Sequence, residues 1–389
     1  MFKPPIWPAF ALSLCLFSLP AIAAAPEPGD QDGDQTDAPA PEPEAMDADP
    51  VEPEPAEPEP EPVEPEPTPE PTPEPETVEA PTEQKPPIEP EPQGPSAAMG
   101  DKHSLVYTNL LAPRINPLGL EERLWIGYQY RLYDKDKTIL NGSNLGIFFR
   151  PIVSPAIALV GATVQVQPAA VLRLRATYSW LAYYGNFQYM QSFQSPHDDF
   201  SETRLGAMAD AGQNYSTTGQ QIELEALLQA RYKGLVLRSA LVANYNVMKL
   251  RGDDDLFYDV RIDALVANRA WVLLNDTDLL WLQDLKTPRH PTIMAGVRAS
   301  TVMPFYPDSV YEPGDPLTNP NGPQFRLGPA LGYVFYDQPQ KRPRFNKPTL
   351  LLMPQWNILH RWRTGRDVSA AMPTIVIAFA FSGQLWGKN

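Results

Sequence analysis

Hydrophobic and polar residues alternate along several segments that follow residue 100. Between residues 171 and 180, apolar side chains occupy every second position, with Arg173 and Arg175 between them. The same period places Glu223 and Glu225 between apolar residues in segment 221–232. In a β-strand a period of two separates the two sets onto opposite faces, whereas a helix would scatter the charges around its circumference. These segments are therefore predicted to be strands with one apolar and one polar face.

Segments of this kind recur and predict about twelve strands, with fourteen as the next choice. Their centres lie near residues 107, 127, 147, 162, 175, 226, 242, 261, 276, 298, 330, 355 and 379. Bacterial membrane barrels have an even number of strands, so one of these thirteen segments is not a barrel strand. The weakest are the first and the segment 271–281, in which Asp276 and Asp278 belong either to a turn or to a strand with two inward-facing carboxylates. The long connections 185–219 and 304–323 then fall at opposite ends, although loops of this length are expected on one side.

Two architectures contain half-apolar strands, a soluble β-sandwich and a membrane β-barrel. Several segments match the roughly 9–11 residues that a tilted strand needs to cross the hydrocarbon layer. Tyr and Trp residues gather at segment ends, as they do at the two interfaces of a membrane barrel. Examples are Trp180, Tyr183, Tyr184, Tyr333, Trp356 and Trp386. Strand length and aromatic placement favour an all-β, antiparallel transmembrane barrel over residues 100–389.

A tract rich in proline and glutamate precedes the strands. Residues 1–97 contain 23 of the 47 acidic residues and two of the 31 basic residues, which leaves 24 acidic and 29 basic residues after them. The tract has no aromatic residue and few aliphatic ones, so it cannot bury enough apolar surface to offset the entropy lost on ordering. Proline content and charge repulsion predict a disordered, extended arm over residues 24–99. Its acidity either serves solvation alone or favours contact with basic loops or a cationic partner.

The first residues have the form of a secretory signal peptide over residues 1–23. Lys3 supplies a positive start, residues 9–19 form an apolar run, and residues 21–23 are an A-x-A cleavage site. Cleavage near residue 23 would remove Cys15, the only cysteine, and leave the mature protein without disulfides or cysteine metal sites. An uncleaved inner-membrane anchor is the alternative, but the apolar run is about half as long as a bilayer span.

Together, the signal peptide, the alternating segments and the aromatic-rich last strand resemble a Gram-negative outer-membrane β-barrel protein. The resemblance is architectural, covers about residues 103–386 and indicates no single family. It implies a barrel surrounded by outer-membrane lipid, with the acidic arm in the periplasm. Such barrels commonly end in an aromatic residue. In this chain the alternation reaches Phe381, and Trp386 follows out of register with three residues beyond it.

The polar faces of the predicted strands would line the lumen of such a barrel. The candidate lumen charges are Arg173, Arg175, Glu223, Glu225, Arg231, Arg238, Asp259, Arg261, Asp263, Arg298 and Arg326. One interpretation is that they pair across neighbouring strands in a filled barrel, because unpaired buried charge is costly. The other is a water-filled channel in which the arginine surplus favours small anionic solutes.

These observations support functions of three classes. The first is a passive pore or membrane anchor with an extended periplasmic arm, and the second is a structural tether that joins the outer membrane to a periplasmic or envelope partner. The third is an outer-membrane lipid hydrolase, but His197 lies in a loop without a nucleophile elbow and His360 lies at a strand end, where lipid-phosphate contact is the simpler role. No catalytic, cofactor or metal site and no nucleic-acid motif is predicted. The oligomeric state is left open.

Overall fold

The alternating segments fold as long strands in the computed structural model, which describes residues 101–133, 140, 142–287 and 289–388. Twelve of these strands are antiparallel neighbours and close into a barrel. They are β1 (His103–Ile115), β2 (Gly119–Arg131), β3 (Asn144–Val153), β4 (Ile157–Ala169), β5 (Leu172–Tyr183), β7 (Thr217–Tyr232), β8 (Leu235–Met248), β11 (Trp271–Asp284), β12 (Thr292–Pro304), β13 (Gln324–Val334), β14 (Asn346–Leu359) and β15 (Thr374–Lys388). The predicted barrel of about twelve strands is confirmed. The predicted signal peptide and acidic arm lie outside the described residues.

The remaining regular elements belong to the loops. A small three-stranded sheet contains β6 (Ser192–Phe193), β9 (Leu256–Asp259) and β10 (Ala264–Ala267), with β9 in the middle. One helix, α1 (Glu202–Asp210), begins at Ser201, whose side chain accepts a hydrogen bond from the backbone N–H of Arg204. A short 3₁₀ helix covers Asp308–Val310. Within the part of the chain that the structure describes, no helix is both long and apolar enough to cross a membrane.

The two ends of the barrel differ in the length of their connections. At the end where β1 begins and β15 finishes, here called the terminal end, the connections are 132–143, 170–171, 233–234, 285–291 and 335–345. At the opposite end, here called the loop end, the long connections are 184–216, 249–270, 305–323 and 360–373. The two long connections expected from the sequence therefore share one end.

The predicted strand near residue 261 is wrong. Residues 256–267 form the β9–β10 hairpin, and every residue of these two short strands is buried. The alternation arose because the charged residues 259, 261 and 263 flank and form the turn of the hairpin, not because one face meets lipid. Without this segment, four strands rather than five separate the long connections, which places both at the loop end. The two weakest predicted segments, β1 and β11, are both barrel strands.

The two faces of the barrel strands are solvated differently, as the sequence alternation requires. On β5, the outward Leu174 is 44 % exposed and the inward Arg173 is 7 % exposed. On β7, Leu224 is 45 % exposed and the neighbouring Glu223 and Glu225 point inward beside β5. Outward apolar side chains recur on every barrel strand and form an apolar band around the wall. On β11, Asp276 and Asp278 face inward, so the acidic run is part of a strand and not a turn.

The last strand contains a β-bulge that returns Trp386 to the outer face. Val106 of β1 pairs with Gln384, but Leu105, which precedes Val106, pairs with Trp386. Leu385 is therefore an extra residue in β15. An extra residue shifts the alternation by one position. Trp386 is consequently outward-facing, in the same row of positions as Phe381, although it appears out of register in the sequence.

The lumen at the loop end is filled by the main hydrophobic core. Phe257 and Leu265 of the hairpin, both fully buried, pack with the loops and the inner wall of the barrel. The wall contributes Ile152, Ile157, Leu159, Leu181, Tyr183, Met248, Val272 and Val302. Each fully buried large apolar side chain contributes about 1.5–3 kcal/mol, which favours the hairpin inside the mouth. The four long loops of the loop end are called the plug from here on.

Candidate functional site

The hairpin of the plug is fastened to the barrel wall by polar contacts at its turn. Arg114 of β1 donates hydrogen bonds to the carbonyl oxygens of Val260 and Arg261, at 2.5 and 2.8 Å. The Tyr183 hydroxyl of β5 donates to Asp259 at 3.2 Å. These bonds satisfy backbone and carboxylate groups that the hairpin buries, so seating of the hairpin leaves few polar groups unpaired.

Asp259 and Arg261 form one ion pair inside this turn. The Arg261 guanidinium donates to both carboxylate oxygens of Asp259, at 3.0 and 2.6 Å, and its other amino group reaches Gln221 of β7 at 3.4 Å. Burial alone would raise the pKa of Asp259, but the adjacent Arg261 outweighs burial and lowers it. The pair is therefore ionised and internally neutral.

A second network joins Asp263 to the loop that follows β14. Arg363 donates to both oxygens of Asp263, and the Tyr258 hydroxyl donates to one of them at 2.6 Å. Gln324 of β13 donates to the backbone carbonyl of Asp263 at 3.1 Å. Burial raises the pKa of Asp263, but Arg363 and then His360 outweigh it and hold this pKa well below the usual range.

His360 completes this network in a defined tautomer. Its Nδ1 accepts hydrogen bonds from the backbone N–H groups of Trp362 and Arg363, at 3.0 and 3.2 Å. Nδ1 is therefore unprotonated, and Nε2–H faces the carbonyl oxygen of Asp263 at 3.2 Å. Burial lowers the pKa of His360, and the nearby Arg363 adds to that effect while Asp263 opposes it. The prediction that His360 contacts lipid phosphate is wrong, because the residue is buried within the plug network.

Three of the predicted lumen charges are thus supplied by the plug and not by a barrel strand. Asp259, Arg261 and Asp263 belong to the β9–β10 hairpin and its turn. The sequence pattern could not separate a buried hairpin from a membrane strand, because both alternate over a few residues. Arg363 and His360 were not among the candidates, and only their position after a long strand indicated that they lie at the mouth.

Two of the predicted arginines share a carboxylate on the inner wall of β5 and β7. Arg173 contacts Glu225 at 2.9 Å, and Arg175 lies 3.6 Å from the same oxygen. Glu223 pairs instead with Arg150 of β3 at 2.5 Å. Arg150 was not among the sequence candidates, although its place between apolar residues of a strand was the same signal.

An aromatic side chain contacts two of these cations. The Trp125 ring of β2 lies under the guanidinium groups of Arg150 and Arg175, at 4.4 and 4.3 Å from the ring centroid. Cation–π contact offsets part of the repulsion between the two arginines. Arg175 also donates to Gln165 of β4 at 2.7 Å. The charged groups of this wall therefore pair with one another across neighbouring strands.

The adjoining part of the wall, on β8, β11 and β12, holds a second cluster around Asp278. Arg298 donates to both oxygens of Asp278, and Arg238 of β8 lies 3.4 Å from one of them. Asp276 accepts a hydrogen bond from Ser300 at 2.6 Å. Arg238 and Arg298 were predicted as lumen charges, whereas Asp276 and Asp278 were recognised only as one alternative for an acidic run.

The two remaining candidates occupy different depths of the lumen. Arg231 lies at the terminal end, where it donates to the carbonyl oxygen of Lys233 at 2.9 Å and lies 4.0 Å from Asp284. Arg326 of β13 lies deeper, beside the tip of the plug, and lines a cavity. Among the described residues, no hydrogen bond or ion pair is made by its guanidinium group.

The cavity beneath the plug, here called the chamber, has a volume of about 510 Å³. Its charged lining consists of Arg114, Arg123, Arg238, Arg261, Arg298, Arg326, Glu121 and Asp276. The turn of the hairpin, at Val260 and Arg261, forms part of the boundary toward the loop end. A smaller cavity of about 220 Å³ continues toward the terminal end and shares Arg238, Arg298, Leu351 and Met353 with the chamber.

Two other kinds of site can be assessed from the described residues. In that part of the chain, no group of three or more His, Cys, Asp or Glu side chains is arranged to hold a metal ion. The ring of His197 contacts the carbonyl oxygen of Pro316 at 2.9 Å, within the plug. Neither His197 nor His360 lies on the outer wall of the barrel.

Comparison with known proteins finds other membrane barrels at low similarity. No protein-family model and no curated protein matches the chain. The β domain of the Bordetella autotransporter BrkA is 10 % identical with a TM-score of 0.36, and the match covers 73 % of this chain and 99 % of that one. The translocator domain of NalP from Neisseria meningitidis is 10 % identical with a TM-score of 0.30, over 72 % and 87 %. OprD of Pseudomonas aeruginosa is 8 % identical with a TM-score of 0.23, over 77 % and 99 %.

Proposed function

We propose that this protein is an outer-membrane barrel that is closed at rest and anchors the acidic arm at its terminal end. The apolar band around the closed wall supports a membrane location, because a soluble barrel would expose this surface to water at high cost. The predicted signal peptide supports export. In membrane barrels of bacteria the short turns face the periplasm and the longer loops face outward. By that rule the terminal end, and with it the arm, faces the periplasm.

The packing of the plug in the mouth of the barrel is the main support for the closed state. Val266 and Leu256 of its hairpin are fully buried, and the core around them includes side chains from both the loops and the barrel wall. The ion pairs of Asp259 and Asp263 are made within the plug and do not depend on a solute. A passive pore would need a continuous water path, and here the mouth is filled by packed apolar residues instead.

Planar-bilayer conductance of the purified chain, with and without residues 24–97, tests this proposal. We expect no steady conductance from either form, because the plug belongs to the barrel domain. Steady conductance of the full chain would overturn the closed state. Membrane fractionation and heat-modifiable gel mobility test the location, and recovery as a soluble periplasmic monomer would overturn it.

A variant of the plug makes the conductance test specific. Leu265→Asp places a charge in the fully buried core of the hairpin, so we expect frequent opening of the lumen while the barrel stays folded. Leu317→Asp is the matched control, because Leu317 lies in another loop of the plug and is 65 % exposed. Equal conductance of the two variants would contradict the role of the hairpin core.

A second candidate function is an anion-selective pore that opens when the plug moves. The observation that favours it is the charge of the chamber, whose lining has six arginines and two carboxylates. Rings of arginine select anions in pores. The Leu265→Asp variant also tests this function, because its open lumen should pass chloride in preference to potassium. An unselective current would contradict it.

A further inference from the structure

We propose that the chamber is a binding site for an organic anion that has one phosphate or carboxylate group and a short apolar body. The ligand enters from the terminal end and lies between Arg326 and the apolar side of the chamber. The chamber lies below the plug, so a ligand can bind there whether the barrel is a closed anchor or an opening pore.

The charges around the chamber do not balance. Four of its six arginines have carboxylate partners: Arg123 pairs with Glu121, Arg261 with Asp259, and both Arg238 and Arg298 with Asp278. Asp278 serves two of these cations with one charge. The remaining carboxylate of the lining, Asp276, accepts a hydrogen bond from Ser300 and does not form an ion pair among the described residues. Even if Asp276 is counted, the six arginines are matched by only four carboxylates, so the chamber has more positive than negative charge.

Two arginines account for this surplus. Arg326 is partly buried and has no hydrogen-bond partner among the described residues, although a guanidinium group has five N–H donors. Arg114 donates to the carbonyl oxygens of Pro117, Val260 and Arg261, which carry no formal charge. Asp263 and Asp276 lie near Arg326 but form no ion pair with it, and a partly buried positive charge that contacts no counter-ion is unfavourable. A bound oxyanion would remove that cost. Guanidinium groups bind phosphate and carboxylate in a bidentate manner.

The chamber also has an apolar part, which distinguishes it from a site for a free inorganic ion. Leu110, Ile152, Leu159, Leu351, Met353 and Val376 contribute to its lining. A volume of about 510 Å³ lies within the range of ligand pockets and far exceeds the space of one phosphate group. A ligand that fills the chamber would therefore contact both the arginines and the aliphatic side chains.

The direction of entry follows from the neighbouring cavity. The smaller cavity shares Arg238, Arg298, Leu351 and Met353 with the chamber and extends to Thr349 and Ser382, which lie nearer the terminal end. On the other side, the hairpin turn and the loop-end residues Leu118, Ser154 and Tyr189 line the chamber. A solute on the terminal side can therefore reach the chamber through the smaller cavity, and it does not need the plug to open.

Isothermal titration calorimetry of the full chain in a non-ionic detergent tests the proposal with three probes. Hexyl phosphate has both parts of the proposed ligand, inorganic phosphate has only the charge, and hexanol has only the apolar body. We expect saturable binding of hexyl phosphate, at least tenfold weaker binding of inorganic phosphate, and no measurable binding of hexanol. If inorganic phosphate bound as tightly as hexyl phosphate, the proposed contact with the aliphatic side chains would be wrong. If hexanol bound as tightly as hexyl phosphate, the proposed contact with the arginines would be wrong.

Matched variants assign the binding to the chamber. Arg326→Gln should weaken hexyl phosphate binding at least tenfold, whereas Arg231→Gln, the same change at the terminal end, should leave it unchanged. Ala240→Leu fills part of the chamber without removing a charge, so it should also weaken binding and gives a second test if Arg326→Gln does not fold. Unchanged binding in both chamber variants, or equal weakening by Arg231→Gln, would overturn the site. Absence of saturable binding by the unaltered chain would overturn the proposal outright, and would not affect the conductance test of the closed barrel.

Discussion

Arg298 of β12 donates two hydrogen bonds to the carboxylate of Asp278 on the neighbouring strand β11, at 2.6 and 2.7 Å. Arg238 approaches the same carboxylate from β8, on the other side, at 3.4 Å. Asp278 is 2 % exposed, so one buried carboxylate neutralises two cations of the inner wall. This relationship links three consecutive strands of the barrel through a single side chain.

Asp278→Asn should therefore destabilise the barrel markedly. The change leaves Arg238 and Arg298 without their shared counter-ion, and breaking a buried ion pair from one side costs about 3–5 kcal/mol. The measurement is the free energy of unfolding in urea with the barrel in detergent. Asp284→Asn is the control on the same strand, because its side chain is 65 % exposed and lies 4.0 Å from Arg231, and we expect a change below about 1 kcal/mol. Similar losses in the two variants would contradict the role of Asp278.

The double change Arg173→Gln and Arg175→Gln separates a filled wall from an open channel. Both arginines contact one oxygen of Glu225, whose side chain is 14 % exposed, so we expect a loss of about 3 kcal/mol from an unpaired carboxylate. Adding Glu225→Gln should recover most of this loss, because no buried charge is then left without a partner. The measurement is again urea unfolding. Unchanged stability together with altered ion selectivity would instead support an open channel.

The barrel strands were predictable because one physical rule governs all of them. Each strand has an apolar outer face and an inner face toward the lumen, so apolar and polar residues alternate, as in β5 and β7. That rule fails for residues 256–267, where the hairpin is buried on both faces and alternates only at its turn. The bulge at Leu385 could not be predicted either, because a single extra residue has no sequence signal of its own.

The candidate site was predictable only where both partners lie on barrel strands. Glu225 and its two arginines were identified because the alternation placed them on one face of adjacent strands. The network of Asp263, His360 and Arg363 joins two loops that are about 100 positions apart in the chain, and no local pattern brings them together. The plug as a whole depends on such long-range contacts, which explains why the sequence left open whether the lumen is filled.

Two adjacent positions near the middle of β8 test the assignment of the wall faces. Leu241 points outward and is 46 % exposed, whereas Ala240 points into the chamber and pairs with Asp276 across the strands. Leu241→Arg should cost about 2–4 kcal/mol, because it places a charge near the bilayer midplane. Ala240→Arg should cost less, because Asp276 supplies a counter-ion. The measurement is urea unfolding from lipid bilayers, and a larger cost at Ala240 would refute the assignment.

The plug should loosen as the pH falls from 7 to 5, through protonation of His360. Burial lowers the pKa of His360 in the folded protein below its ordinary value of 6.5, so a released plug binds the proton more tightly than a seated one. The stability that depends on neutral His360 is fully present above about pH 6.5 and is lost as the pH falls through the lower folded value. A proton on Nδ1 would also face the N–H groups of Trp362 and Arg363, which now donate to it.

Asp263 contributes in the same direction but in a more acidic range. Its pKa is lowered from the ordinary value near 3.8, mainly because Arg363 outweighs the effect of burial, so its contribution is lost only below about pH 4. Arg363 and Arg326 also face this network and stay charged throughout the range. The interval between pH 7 and 5 therefore isolates His360 from Asp263.

Hydrogen exchange of the backbone amides in residues 256–267, corrected for the intrinsic pH dependence of exchange, measures this loosening. We expect protection in the unaltered chain to fall between pH 7 and 5, because the lowered pKa of His360 makes its protonation favour the released plug. His360→Asn is the matched variant, because an amide oxygen can accept the same backbone N–H groups and does not titrate. Its protection should stay nearly constant over this interval. An equal decline in both proteins would show that another group controls the plug.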